Sequence, residues 1–433
     1  MKAIVVGGDS GAASSPGVAG SNGSPSQGRV RAFVDTFREA RWLNAERVRG
    51  YSRLLCACYV ALFAAWLVFR PGGIRTTLAP VGGDFPPYYS ASSLALRGDP
   101  AAVYDRTKLS AAEKATLGAK SPGFQRFEYP PMFLTIIFPL AILPYSGALI
   151  VWTLVGLAAY LSMVGKIVPG RDTIWVALAF PGALLTVLDG QNGLITAALF
   201  GGGLTLLERR PWVAGALFGL LCYKPQFGLL LPLVLLATRQ WRAIAGAALV
   251  VAAFAGISAA LFGMQTWRGF LAIVPITTHE MLEQGDIGFG KIQSVFGAAR
   301  LWGASVRASY MMQAAVSIPA ACAVLWVWLK PGGFPVKAAA LAAGTLLITP
   351  YFLDYDSVLL AVPLAWLSWD AMRSGFLSWE KSILFLVWFF PIFARILSLF
   401  ASLTLMPLVL ALLMFDIVRR AAISSTPVFE SHD

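Results

Sequence analysis

Asp84 is the first residue of the chain whose setting suits acid–base chemistry. It lies in Gly82-Gly-Asp-Phe-Pro-Pro-Tyr-Tyr89, between two glycines and two prolines. Glycine opens backbone angles closed to other residues and proline stiffens the segment after it, so the carboxylate is expected to be held in place. A carboxylate fixed in this way can act as a general base toward a hydroxyl; the plainer alternative is a turn aspartate in a solvated loop. Lys224, in Tyr223-Lys-Pro-Gln226, interrupts the apolar run 212–238. An ammonium at membrane depth costs roughly 3 kcal/mol or more unless it is paired, so a phosphate or carboxylate partner is expected. Arg126 and Lys291 are the next candidate cations for a phosphate. Asp354 and Asp356 come after Thr349-Pro350 and could orient a sugar hydroxyl, pair with Lys224, or cap a helix. Gln191, Asn192 and Gln226 carry amides suited to hydroxyl groups. Tyr88, Tyr89 and Tyr129 could stack on sugar rings or anchor at a membrane interface. His279 sits among Glu280, Glu283 and Asp286, a cluster that reads equally as a solvated face.

These residues must be positioned by a membrane protein. Of the 433 residues, 57% are hydrophobic and only 13% charged, where a soluble domain carries roughly 25% charged residues; mean hydropathy is +0.69. Net charge is +12, but the basic residues sit in short connectors between apolar runs. They therefore report orientation and anionic headgroups, not nucleic-acid binding. Two histidines and four cysteines, all of the latter in apolar runs, leave no metal-ligand pattern, and Cys56-Ala-Cys58 has no His or Asp beside it.

Along the chain, residues 1–28 read as a disordered tail, 29–52 as a basic amphipathic interfacial helix, 53–420 as the transmembrane catalytic domain, and 421–433 as a second tail. Residues 1–53 hold eight Lys/Arg against four acids, which places both tails in the cytoplasm. After the first span (53–70) comes a long polar loop, 71–130. Later spans are expected at 147–166, 173–188, 193–208, 212–238, 243–263, 308–329, 336–350, 352–369, 382–398 and 401–418, with a second outer loop at 264–305. The run 132–143 is too short for an ordinary span. Keeping the basic connectors on one side requires a break at Lys224-Pro225, where proline cannot continue the helical ladder. Five polar segments then share one outer side: 71–130, 189–192, 223–226, 264–305 and 349–356.

The same letters resemble a known family. Gly83-Asp84-Phe85 with Tyr88-Tyr89, Gly98-Asp-Pro with Tyr104-Asp105, Tyr129-Pro-Pro131, Gly190-Gln-Asn-Gly193, Tyr223-Lys-Pro225 and Thr349-Pro350 with Asp354 occur in order, and resemble the motifs of glycosyltransferase family 87. The resemblance implies a GT-C-type bundle of about 10–13 transmembrane helices. It implies an inverting transferase using a polyprenyl-phosphate sugar as donor and a glycolipid or envelope-glycan hydroxyl as acceptor, with no cofactor and no metal. It implies a multi-pass plasma-membrane protein acting on the non-cytoplasmic face, with Asp84 in the family's catalytic position. Characterised mannosyltransferases of the family carry histidines near the Ser/Thr-Pro motif, where this chain has Asp354 and Asp356. A transporter or flippase of lipid-linked glycans is the alternative; it calls for internal repeats and a charged through-path, and no repeat stands out.

Overall fold

A computed structural model describes residues 25–69, 82–118 and 124–423. Within them the chain is helical, with a single isolated bridge between Ile292 and Leu353. Helices α1 (Pro25–Glu39) and α2 (Ala45–Phe69) lead to α3 (Pro86–Leu96) and α4 (Arg106–Leu117). Next come α5 (Pro131–Ile137), α6 (Tyr145–Ile167), α7 (Arg171–Leu178), α8 (Pro181–Asp189) and α9 (Gly193–Leu206). Then come α10 (Pro211–Leu220), α11 (Leu230–Ala237), α12 (Trp241–Thr277), α13 (Val295–Leu301) and α14 (Val306–Leu329). The chain ends with α15 (Phe334–Ile348), α16 (Ala361–Ser374), α17 (Glu380–Phe389), α18 (Pro391–Ala401) and α19 (Met406–Ile423).

Proline sets many of these boundaries. It opens α3, α5, α8, α10 and α18, where a missing N–H is harmless because the first turn has no partner for it. The same residues bend the path: α7 and α8 meet at 58°, and α17 and α18 at 64°. Among the described residues, four helices, α2, α6, α12 with the turn after it, and α14, are long and apolar enough to cross a membrane; counting each bent pair as one span gives six. Five further apolar stretches, at α5, α9, α10, α11 and α15, are shorter. Of these, α9, α15 and the broken pair α10–α11 lie where spans are expected at 193–208, 336–350 and 212–238.

The expected break at Lys224-Pro225 is present. Helix α10 ends in a 3-10 turn at Leu221–Tyr223, Lys224 leaves the helical region (φ −128°, ψ 70°), and a second 3-10 turn at Pro225–Gly228 leads into α11. The helical path of α12 is likewise interrupted at Gly263, where the span 243–263 was expected to end.

Four expectations change. The single amphipathic helix 29–52 is two helices, because Ala40 takes a positive φ of 44° and Asn44 accepts a hydrogen bond from the Arg47 amide, starting α2 afresh. Of the tail expected at 1–28, residues 25–28 belong to α1; residues 1–24 and 424–433 lie outside the described residues, as do 70–81 and 119–123 of the first loop. The span 352–369 is not one helix: residues 354–360 form a 3-10 segment, and α16 begins only at Ala361. The segment 264–305 is also mostly helical, through the end of α12, a π-turn at Thr278–Gln284, and α13.

The core is built around α15, which is buried along nearly its whole length from Val336 to Leu347. Its alanines and glycine allow α14, α16 and α19 to approach closely. Close packing of small residues is the main attraction available between helices in lipid.

Candidate active site

Asp84 is held by its backbone first. The Gly82 amide donates to the Leu188 carbonyl (2.8 Å) and the Asp84 amide to the Asp189 carbonyl (2.9 Å), so the loop is laid across the end of α8. Gly190, just past that helix, takes the left-handed conformation that ends helices (φ 68°). A Cβ on Gly190 would stand 2.7 Å from the Gly82 Cα, and Gly82 itself has φ 78°. Two glycines in direct backbone contact are therefore what brings Asp84 onto the α8–α9 corner. Gln125 adds a bond from its amide to the Gly83 carbonyl (2.7 Å).

The side chains then close a network. Gln191 Nε2 donates to Asp84 Oδ2 at 3.1 Å, while Gln191 Oε1 accepts from Tyr88 Oη at 2.5 Å. The Tyr88 and Tyr129 hydroxyls lie 2.8 Å apart, and Asn192 Nδ2 donates to Tyr88 Oη (3.2 Å). Tyr88 and Asn192 are buried. An amide fixed by a tyrosine hydroxyl points its N–H at the carboxylate, so Gln191 sets which Asp84 oxygen faces the protein.

The candidate cations divide into two kinds. Lys224, 4% exposed, lies 2.6 Å from the buried Asp356, whose other oxygen accepts from the Leu353 amide (3.4 Å). Arg126 is paired with Glu280. Lys291, by contrast, has no carboxylate within ion-pair distance among the described residues, though its charge reaches Asp189 and Asp354. Arg395, on α18, joins it there with Nε 3.6 Å from Asp354 Oδ2. The segment carrying Lys291 is fastened to the 349–356 turn by the Gln293 amide on the Phe352 carbonyl (2.7 Å) and Ser294 Oγ on the Pro350 carbonyl (2.6 Å). That turn is fastened in its place to α8 by Thr186 Oγ1 on the Tyr355 carbonyl (2.7 Å). The five polar segments expected to share one side thus converge in the folded chain.

Some candidates stand apart. The Tyr89 hydroxyl donates to the Leu143 carbonyl (3.0 Å) beside Tyr145. His279 is exposed, and its ring bonds Glu283 and Gln284 of its own turn (2.9 Å each). Gln226 makes no side-chain hydrogen bond among the described residues. No group of three or more His, Cys, Asp or Glu able to hold a metal occurs among the described residues.

Two functional candidates escape a reading of the sequence. Glu128, within Phe127-Glu-Tyr-Pro-Pro131, accepts from the Tyr351 hydroxyl (3.2 Å) and feels the charges of Asp84, Arg126 and Lys224. Arg395 interrupts the apolar run 382–398, and an arginine there is a signal by the same rule that singles out Lys224. Burial pushes the Glu128 carboxyl up to about 7, against the opposing Tyr351 hydrogen bond and the Arg126 and Lys224 charges. An acid raised on folding binds its proton more tightly in the folded state, so stability falls as pH rises from the ordinary carboxylate range to about 7. Melting curves between pH 5 and 8 should show wild-type losing roughly 1–2 kcal/mol relative to Glu128→Gln, less than the full shift because part of the change falls below pH 5. Parallel curves for the two proteins would remove Glu128 as a titrating group.

The sequence profile of glycosyltransferase family 87 matches residues 127–350. The match takes in Tyr129, Gln191, Asn192, Lys224 and Lys291; Asp84 precedes it and Asp354 lies a few residues beyond it. No curated protein and no solved structure matches the chain. With the profile covering just over half of its length, this chain belongs to glycosyltransferase family 87.

Proposed function

We propose that this glycosyltransferase moves a sugar, mannose or another hexose or pentose, from a polyprenyl-phosphate carrier to a hydroxyl of a glycolipid or envelope glycan. Transfer takes place with inversion on the non-cytoplasmic face of the plasma membrane. The observation that carries this reading is a rigidly held, hydrogen-bonded Asp84 whose charge reaches Asp354 together with those of Lys291 and Arg395, two cations against one bonded carboxylate. The acceptor hydroxyl gives its proton to Asp84 as its oxygen attacks the anomeric carbon. The bond from that carbon to the phosphate oxygen breaks, and the polyprenyl monophosphate leaves with the electron pair. Charge grows on the phosphate during this step, and fixed cations stabilise it most where water is excluded. Lys224 and Arg126, the first cations to suggest themselves for this role, are already neutralised by Asp356 and Glu280. Lys291, with no bonded carboxylate among the described residues, is therefore the better donor-phosphate ligand, and Arg395, held more loosely at 3.6 Å from Asp354, stands beside it.

The test is a membrane preparation of the full chain incubated with a radiolabelled polyprenyl-phosphate hexose and extracted glycolipid acceptors. Equal amounts of glycosylated product and free polyprenyl phosphate are expected. Consumption of a nucleotide sugar in its place would overturn the reading. In the same assay Lys291→Met should lower kcat/KM by on the order of 10²-fold. An unchanged rate in Lys291→Met would move the phosphate back toward Lys224.

A further inference from the structure

A groove of about 950 Å³ opens between α2, α6, α7, α16 and α17. Its position is set by α2, a 25-residue helix that starts at Ala45 beside the groove's polar end. Only 6% of the spanning part of α2 is buried within the protein, against 39% for α6, so α2 stands off from the bundle and leaves the groove between them. The groove is polar at one end and apolar along the rest. Arg49, Asp172 and Lys381 line the polar end, whereas Leu55, Phe180 and Leu384 line the deeper wall.

Three observations specify an occupant. First, charge at the polar end is unbalanced: Arg49 (3.5 Å) and Arg53 (3.1 Å) share the single carboxylate of Asp172. Lys381 has only the Phe376 ring beneath it, 5.1 Å away, and no carboxylate in ion-pair distance among the described residues. Second, the mouth lies at the start of α2 and α7, the level at which lipid headgroups meet a spanning helix. Third, the wall beyond the polar end is apolar over Leu55, Val164, Phe180 and Leu384, so the occupant carries hydrocarbon behind its headgroup. A glycerophospholipid, the anionic amphiphile that the surrounding bilayer supplies in bulk, meets all three.

We infer that this groove binds one glycerophospholipid with an anionic headgroup, its phosphate on Lys381 and Arg49 and its acyl chains between α2 and the bundle. The lipid fills the gap that α2 leaves. The inference does not depend on the donor-site assignment.

Native mass spectrometry of the full-length protein in non-ionic detergent tests the inference, using dioleoyl phosphatidylglycerol and dioleoyl phosphatidylcholine in equal amounts. One phosphatidylglycerol per chain should be retained, preferred over phosphatidylcholine by about fivefold or more. Lys381→Glu should abolish the preference; Arg49→Gln serves if the first variant lowers the melting temperature. With polyprenyl phosphate added in equal amount, phosphatidylglycerol should still be the lipid retained. Parity between the two phospholipids in wild type, an unchanged preference in both charge variants, retention of polyprenyl phosphate in place of phosphatidylglycerol, or a second protein chain in place of lipid would each overturn the assignment.

Discussion

Asp84→Asn should reduce sugar transfer by about 10²–10⁴-fold in kcat, the range that a positioned general base contributes. The substitution is chosen because so little else changes. Asparagine has nearly the same shape and its Oδ1 can accept the bond that Gln191 Nε2 now gives to Asp84 Oδ2. The main-chain bond to Asp189 does not involve the side chain at all. Donor affinity, melting temperature and detergent behaviour should therefore match wild type, and the loss should appear in turnover alone. A base that has lost its lone-pair charge cannot take the hydroxyl proton, whatever its position. The companion variant Gln191→Ala keeps the carboxylate and removes only its orienting amide, so a smaller loss, about tenfold, is expected from misplacement. Radiolabelled transfer measured beside donor binding separates the two effects. Undiminished turnover in Asp84→Asn would exclude it as the base and favour Glu128 or Asp189, the carboxylates whose charges it shares.

Much of this geometry is legible in the sequence. Counting basic connectors requires a break at Lys224-Pro225, which is present in the fold, and groups five polar segments that the folded chain brings into contact. Parity works as a guide because lipid forbids exposed backbone polar groups, which leaves few ways to pass the chain back and forth. Partner choice is only partly legible. Pairing with Lys224 is one of three roles the sequence leaves open to Asp354 and Asp356, and the fold selects Asp356, whereas nothing in the sequence marks Glu280 as the partner of Arg126. Only the packed structure shows that Lys291 has none among the described residues. Helix lengths are harder still. Apolar composition marks 352–369 as a span, but Asp354 and Asp356 turn inward and draw the backbone into a 3-10 segment instead. Glu128 is hidden for the opposite reason: a single acid between aromatics in a polar loop carries no periodic signal, and its raised pKa exists only once Tyr351 and the surrounding rings close over it.

Lys224→Met should cost about 3–5 kcal/mol of stability, because it leaves Asp356 as an uncompensated buried charge. Both partners are almost fully enclosed, at 4% and 2% exposure, so water cannot take over the lost interaction. Asp356→Leu should cost a comparable amount by stranding the lysine. The double variant Lys224→Met/Asp356→Leu should recover most of this, since an apolar pair of similar volume avoids the desolvation cost that the ion pair must first offset. Thermal melting of the three variants in one detergent gives the cycle, with a coupling of roughly 2–4 kcal/mol expected. Additive losses would show that the two residues act through separate contacts. The double variant also decides what the pair is for. If Lys224 serves only to hold the 223–226 break against the 349–356 turn, the double variant keeps its rate as well as its fold. If the ammonium also lends its charge to the leaving phosphate, stability returns and turnover does not. The neutralisation by Asp356 argues for the first outcome: a lysine already 2.6 Å from a carboxylate presents little net charge to a second anion.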